Sequence, residues 1–232
     1  MPRHSLALVT ALACTAILVG GRAEAAPILS PFSVVSNSGG TFCGGTDCSV
    51  ERTIDQSGLS AGFTSGVTDF DAYLAGNPTH TLSFFDTEWF SADQHPTATV
   101  VYDLGNSYSI TRLAFWNEET NGVLNFSVSA CGNDPTCGAA VALGLFVPTD
   151  NPSGFDYRAD VFNIADAVTR YVRFDFTDNP AGDSTAQWIA VGELAFEATP
   201  AANAVPEPAS LLLLGTGMAL AAKRARSRRQ KV

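Results

Sequence analysis

The sequence predicts an all-β fold, an antiparallel β-sandwich, flanked by an N-terminal signal helix and a short C-terminal hydrophobic helix. Three observations carry this. Leu124, Phe126 and Val128 alternate with Val123, Asn125, Ser127 and Ser129, and Val172, Phe174 and Phe176 alternate with Tyr171, Arg173, Asp175 and Thr177. That is the period of two expected of strands with one buried face. Gly-Asn, Asn-Gly, Asn-Asp-Pro, Asp-Asn-Pro and Pro-Ala-Gly-Asp turn signals separate such runs. Helical periodicity is nearly absent between the two ends, apart from a turn or two around Asp69–Leu74.

At the N-terminus, Arg3 and His4 precede the apolar run Leu6–Val19, and Ala23-Glu24-Ala25 offers a small-residue cleavage pattern. This reads as a secretory signal peptide over 1–25, cut beside Ala23, Ala25 and Ala26. A lipoprotein reading through Cys14 lacks the large aliphatic residue three places earlier, since Ala11 stands there. Residues 26–65 form a Gly/Ser-rich segment in which Val34-Val35 and Ser49–Ile54 are candidate edge strands. Further β-rich runs are Thr79–Phe85, Thr97–Leu104, Ile110–Trp116, Val141–Val147, Tyr157–Ile164 and Trp188–Phe196. Several short strands at regular spacing with polar turns argue for a sandwich. Residues 198–204 (ATPAANA) read as a linker.

Between residues 27 and 204 the chain carries 21 acidic residues against Arg52, Arg112, Arg158, Arg170 and Arg173, a net of sixteen negative charges. Such a surface repels nucleic acid. It tolerates a polyanionic glycan only through bridging cations. The cysteines of this region fall in two close pairs, Cys43/Cys48 and Cys131/Cys137, set among Gly, Asn, Asp and Pro. In an exported chain these read as two local disulfides. Zinc is the rival reading, weakened because His80 and His95 are near neither pair.

The last 28 residues have three parts: Val205-Pro206-Glu207-Pro208, an apolar run Ala209–Ala222 of 14 residues, and a tail holding six of the chain's 13 Lys and Arg. The prolines stop an upstream helix, and the basic tail stays cytoplasmic. The run is shorter than the ~20 residues of a comfortable membrane span, which suits a transient anchor; an ordinary tail anchor is the alternative. The arrangement over 205–232 resembles the PEP-CTERM sorting signal of Gram-negative bacteria. The resemblance implies an exosortase-type protease as partner, an inner-membrane-anchored intermediate held by the C-terminal helix, and delivery to the cell surface or extracellular polysaccharide matrix.

Tyr102-Asp103-Leu104-Gly105 followed by Ile110–Asn117, with Trp89-Phe90-Ser91 before and Arg170–Phe174 and Ile189–Phe196 after, resembles a discoidin-type, galactose-binding-like domain over 66–197. The resemblance implies a jelly roll whose loops at one end bind glycans, lipids or proteins. Such domains usually close on a long-range disulfide, whereas these pairs are local. Fold alone does not name a ligand. An aromatic beside carboxylates and amides is the composition of a sugar subsite, which makes Asp86, Trp89, Phe90, Trp116, Asn117, Glu118 and Glu119 ligand candidates; core packing of Trp89 and Trp116 is the competing reading. The family often holds one structural Ca²⁺, and the resemblance assigns Asp69, Asp71, Asp86 and Glu193 as candidate ligands, oxygen donors suited to that ion.

Paired carboxylates could serve glycoside hydrolysis. However, no Gly-x-Ser-x-Gly, His-Glu-x-x-His or Walker loop is present. The expectation is a non-catalytic exported protein whose sandwich binds glycan or exopolysaccharide. A purely structural surface protein and a glycan-processing enzyme are the alternatives.

Overall fold

The computed structural model describes residues 26–43, 48–82, 86–177 and 188–201. The signal peptide with Ala23 and Ala25, and the sorting segment with Val205, Pro206, Glu207 and Pro208, lie outside the described residues. The strands in chain order are β1 (Ile28–Leu29), β2 (Ser33–Asn37), β3 (Thr79–His80), β4 (Trp89–Phe90) and β5 (Ala98–Asn117). There follow β6 (Asn125–Ala130), β7 (Val141–Phe146), β8 (Tyr157–Arg158), β9 (Asp160–Thr177) and β10 (Ala190–Pro200). One short helix, α1 (Phe70–Ala75), starts where the Asp69 carboxylate accepts the backbone N–H of Ala72 at 2.6 Å, an N-cap interaction.

Two strands serve both layers of a sandwich. The first half of β5 pairs with β2 and with the second half of β9, and its second half pairs with β10 and with the first half of β9. The register shifts between Asp103 and Tyr108, and Gly105 sits there at φ 85°, a conformation that costs glycine little. Here the strand turns the corner from one layer to the other. The sequence therefore reads two strands, Thr97–Leu104 and Ile110–Trp116, where the structure has one hydrogen-bonded ribbon with a corner. The Asp-Leu-Gly segment is that corner.

Among the described residues the named strands pair antiparallel, and β6 and β7 extend the layer that holds β2. Between the layers lie Val100, Tyr102, Phe126, Val128, Phe174 and Phe176 from one side and Ile110, Leu113, Phe115, Leu194 and Phe196 from the other. Phe115 meets Phe126 at a ring-centroid distance of 4.5 Å, and Phe174 meets Phe196 at 6.1 Å. Each buried phenylalanine of this kind contributes roughly 1.5–3 kcal/mol by removal from water. Phe126, Val128, Val172, Phe174 and Phe176 face inward as the alternation predicts, whereas Leu124, expected with them, is 42% exposed and Val123 beside it is buried.

The register also defines two ends. Ala98, Asn117, Asp160, Thr177 and Ala190 mark the loop end, while Asp103–Tyr108, Thr169, Ala130, Val141 and Pro200 mark the corner end.

Two expectations are corrected, at Ser49–Ile54 and at residues 198–200. Ser49–Ile54 contains a 3-10 turn at Val50–Thr53 and no strand; the Thr53 hydroxyl donates to Val50 O at 2.7 Å, closing the turn locally. The edge strand expected at Val34-Val35 is β2, paired with β5, and β1 adds a short strand against β10. Residues 198–200 belong to β10, where Ala198, Thr199 and Pro200 pair with Ile110, Ser109 and Tyr108, so the linker starts later than composition suggests. The helical turn at Asp69–Leu74 is α1, whose Phe70 and Tyr73 bury with Ile28, Ala114, Trp116 and Ala195 on the outer face of the β10 layer. Both cysteine pairs are bonded, Cys43–Cys48 and Cys131–Cys137.

Candidate functional site

The loop end gathers the sequence-predicted ligand residues but turns the large aromatics inward. Trp89 is fully buried, its ring 5.9 Å from that of Phe176, and its indole N–H donates to Gly40 O at 2.9 Å. Trp116 is fully buried against Phe70 and Tyr73, donating to Pro78 O at 3.2 Å. Phe90 is buried with Cys48 and Ala190. These three rings present no face to a ligand. The reason is position: each sits on a strand end whose inner or outer face is covered by another layer.

The Trp116–Gly122 segment is closed upon itself. Asn117 Nδ2 donates to Val123 O at 3.2 Å and to Thr149 O at 3.0 Å, and its Oδ1 accepts from Val123 N at 2.8 Å. Asn117 thus ties the turn to the neighbouring 149 loop. Glu118 Oε2 accepts the backbone N–H of Thr120 at 2.8 Å and that of Asn121, while Glu118 Oε1 and Asn121 Oδ1 are buried with no hydrogen-bond partner. Burial, reinforced by the charges of Glu88 and Glu119, pushes the Glu118 carboxyl up to about 8. Glu119 is buried, while Asp86 is exposed at φ 82°.

Beneath this turn lies a polar cluster that sequence reading does not assemble. The Tyr157 hydroxyl donates to Glu88 Oε1 at 2.5 Å and lies 3.0 Å from His80 Nδ1, and the two rings stack with centroids 5.2 Å apart. His80, Glu88 and Tyr157 are all buried. A Cβ at Gly192 would fall 2.3 Å from the Tyr157 hydroxyl oxygen, so only glycine fits there. Burial, with the Glu88 charge adding to it, drives the Tyr157 phenol well above its ordinary range.

An accessible aromatic pair stands elsewhere on the same end. The rings of Phe42 and Trp188 meet at a centroid distance of 4.7 Å, tilted by 39°. Phe42 is 41% exposed and Trp188 half-buried. The Cys43–Cys48 bond and the Phe42 N–H to Phe90 O hydrogen bond of 3.0 Å brace Phe42. Exposed His95 bridges to Trp188, and Ala190 N donates to Asn121 O at 2.8 Å, setting the 118–122 turn beside the pair. Sequence reading missed this pair because Trp188 was absorbed into a strand and Phe42 into a Gly-rich segment. The cysteine at position 43 was the available signal.

The structure does not unite the calcium candidates. Asp69 caps α1, and Asp71 takes a bidentate ion pair from Arg112 at 2.7 and 2.9 Å. Asp86 is exposed at the loop end. Glu193 alone is fully buried, with Oε2 accepting Gln56 N at 2.8 Å and Oε1 lacking a partner. Among the described residues no three His, Cys, Asp or Glu side chains form a group able to hold a metal ion. Of the expected set, Glu193 is thus the one buried carboxylate with an oxygen that accepts no hydrogen bond, a donor type calcium accepts. Asp55, whose charge acts on Glu193, is itself paired with Arg52 at 2.9 Å.

Comparisons with known proteins fit this architecture. Residues 204–229 match the PEP-CTERM protein-sorting motif, so the chain carries a sorting signal that marks it for export through the membrane in Gram-negative bacteria. No curated protein matches the chain in sequence. A chitobiase-like fragment (298-461) from Bacteroides thetaiotaomicron superposes with a TM-score of 0.50 at 16% identity, covering 80% of this chain and 98% of that one. The C-terminal domain of a chitobiase from Bacteroides fragilis gives 0.48 at 15% identity, with 74% and 97% covered. A CBM32 domain of AlyQ in complex with 4,5-unsaturated mannuronic acid gives 0.44 at 17%, with 73% and 96% covered. Among the described residues no helix is long and apolar enough to cross a membrane. The chain thus joins a PEP-CTERM sorting motif to an antiparallel β-sandwich with the fold of the chitobiase-like fragment.

Proposed function

We propose that this is an exported, non-catalytic glycan-binding protein. In this reading an exosortase-type protease sorts it through the 205–232 segment, by way of an inner-membrane intermediate, to the cell surface or extracellular polysaccharide matrix. The observation that carries the binding assignment is the Phe42–Trp188 pair, held at the loop end beside His95 and the Thr120–Asn121 turn. An aromatic face takes the C–H face of a pyranose, and neighbouring amides and hydroxyls take its hydroxyl groups. The carbohydrate-binding modules among the structural neighbours support the same reading.

A non-catalytic role fits the carboxylates. Glu88 and Glu118, paired near Tyr157, are sealed from solvent, whereas a glycosidase needs its acid and nucleophile facing the sugar. Asn117, Glu118 and Glu119 then shape the loop, and Trp89, Phe90 and Trp116 hold the core beneath it. One structural Ca²⁺ belongs to the proposal at Glu193, whose Oε1 is buried without a hydrogen-bond partner. Screening the exported protein against an immobilised glycan panel, beside Phe42→Ala and Trp188→Ala variants, tests the assignment. Binding that both variants weaken supports it; binding unaffected by either removes the site.

A further inference from the structure

At the opposite, corner end the sandwich holds a groove of about 440 Å³ lined by Asn106, Ser107, Tyr108, Asn133, Arg170 and the end of β10 at Pro200. We propose that this groove is a second saccharide site, selective for neutral sugars, so that one copy of the protein bridges two glycan chains. It is independent of the loop-end site in geometry and shares with it only the class of ligand.

The groove is assembled from three separate parts of the chain, and each is fixed. The Cys131–Cys137 bond staples the loop that carries Asn133. Gly132 O in that loop accepts the backbone N–H groups of Arg170 at 2.9 Å and Tyr171 at 3.1 Å. The Ser107 hydroxyl donates to Asn133 Oδ1 at 3.1 Å, which orients the Asn133 amide so that its N–H₂ is the end left toward a ligand. Ala201 N donates to Ser107 O at 3.0 Å, seating the end of the domain against the corner. Little side-chain ordering is then left for binding to cost.

The chemistry of the lining points to a sugar. Tyr108 contributes a half-buried ring, and Phe32, which is 78% exposed, packs on Gly105 with 3.3 Å between its Cβ and the site of a glycine Cβ. Gly105 immediately precedes Asn106 of the lining, so Phe32 lies one residue away from the groove. Around it are two amides, one hydroxyl and one guanidinium, the mixture that reads sugar hydroxyls.

Charge selects the kind of sugar. Arg170 gives Nε and Nη2 to the two oxygens of Asp103 at 2.9 and 2.8 Å, leaving Nη1 as the nitrogen outside that pair. The pair is neutral in sum and offers donor and acceptor atoms side by side, matched to hydroxyl groups. With sixteen net negative charges on residues 27–204, no cationic excess remains to hold a uronate. Two sites at opposite ends raise avidity and cross-link a polymer when both can be occupied.

Hydroxyl-radical footprinting of the exported protein reads the two ends separately, because each has its own oxidisable rings. The probes are chitopentaose, cellopentaose and a galactose pentasaccharide as neutral sugars, and tetramannuronate as the anionic one. The expected result is that at least one neutral pentasaccharide slows oxidation of Tyr108 and Phe32 by about fivefold, the change expected when most sites are filled. Asn133→Ala and Phe32→Ala, each with an unchanged melting temperature, should abolish protection at Tyr108 and leave that at Phe42 and Trp188 as it was. Protection of Tyr108 without protection of Phe42 and Trp188 upholds this site and counts against the loop-end one. No protection of Tyr108 by any neutral sugar, or protection by tetramannuronate alone, overturns the proposal.

Discussion

Glu193 Oε2 accepts the backbone N–H of Gln56 at 2.8 Å, joining residues 137 apart in sequence. The bond pins the 54–63 loop to β10 at a point where the carboxylate is fully buried and its other oxygen has no hydrogen-bond partner. Burial drives this carboxyl well above the ordinary carboxylate range. A buried acid of this kind becomes tolerable when protonated or when a cation sits beside it.

Calcium is therefore expected to raise the melting temperature, since a ligand specific for the folded state stabilises by mass action. Calorimetry with calcium and then with chelator measures it. Glu193→Gln should abolish the response while keeping an acceptor for Gln56 N–H. A melting curve that ignores calcium would assign Glu193 the protonated state and take the ion out of the account.

Glu118 sets a pH dependence. Its carboxyl stands at about 8 in the folded protein against an ordinary 4.5, so the folded state holds the proton over a range in which the unfolded state has lost it. Its contribution is complete below pH 4.5 and declines as pH rises towards 8, with a slope of at most about 1.4 kcal/mol per pH unit. Above pH 8 both states are ionised and the dependence levels off. Denaturant unfolding at several pH values should show that decline, and Glu118→Gln should flatten it. Equal slopes in wild type and variant would mean that another group titrates there.

Trp116 separates core from ligand roles. Trp116→Ala should cost about 3–5 kcal/mol, because the indole fills the layer between α1 and the β10 sheet and its N–H bonds Pro78 O. Trp116→Phe should fold at a smaller cost, about 1–3 kcal/mol for the unpaired Pro78 carbonyl, and bind glycan as wild type does. Loss of binding in a folded Trp116→Phe protein would return the residue to the ligand site.

Replacing Pro206-Glu207-Pro208 by alanines should leave export intact and stop release, so that uncut protein collects in the membrane fraction. Fractionation and intact mass check it. A variant that reaches the surface at wild-type mass and level would reduce the segment to an ordinary anchor.

The fold was legible where periodicity is strict. Phe126, Val128, Phe174 and Phe176 alternate cleanly because one face of their layer is buried and the other wet, and all four lie in the core. The Asp-Leu-Gly corner was legible as two strands. Its unity was not, because a corner and a turn look alike in composition. The functional end was harder to read. Trp89 and Trp116 carry an aromatic-plus-polar signature, yet their burial depends on β-layers and α1 brought in from distant sequence. Glu88, His80 and Tyr157 meet over separations of 69 and 77 residues, a juxtaposition that no local pattern encodes. Asp69 and Asp71 looked like cation ligands, but a cap and an arginine claim them.

The central claim is that the loop end binds glycan through Phe42 and Trp188. The most direct measurement is the equilibrium affinity of the exported protein for its strongest ligand on a glycan panel, in wild type, Phe42→Ala and Trp188→Ala. Each ring removed from a sugar-stacking surface should cost about 1–2 kcal/mol, a roughly five- to thirtyfold loss of affinity, with the melting temperature held. Wild-type affinity in both folded variants, or no binding to any glycan, would contradict it.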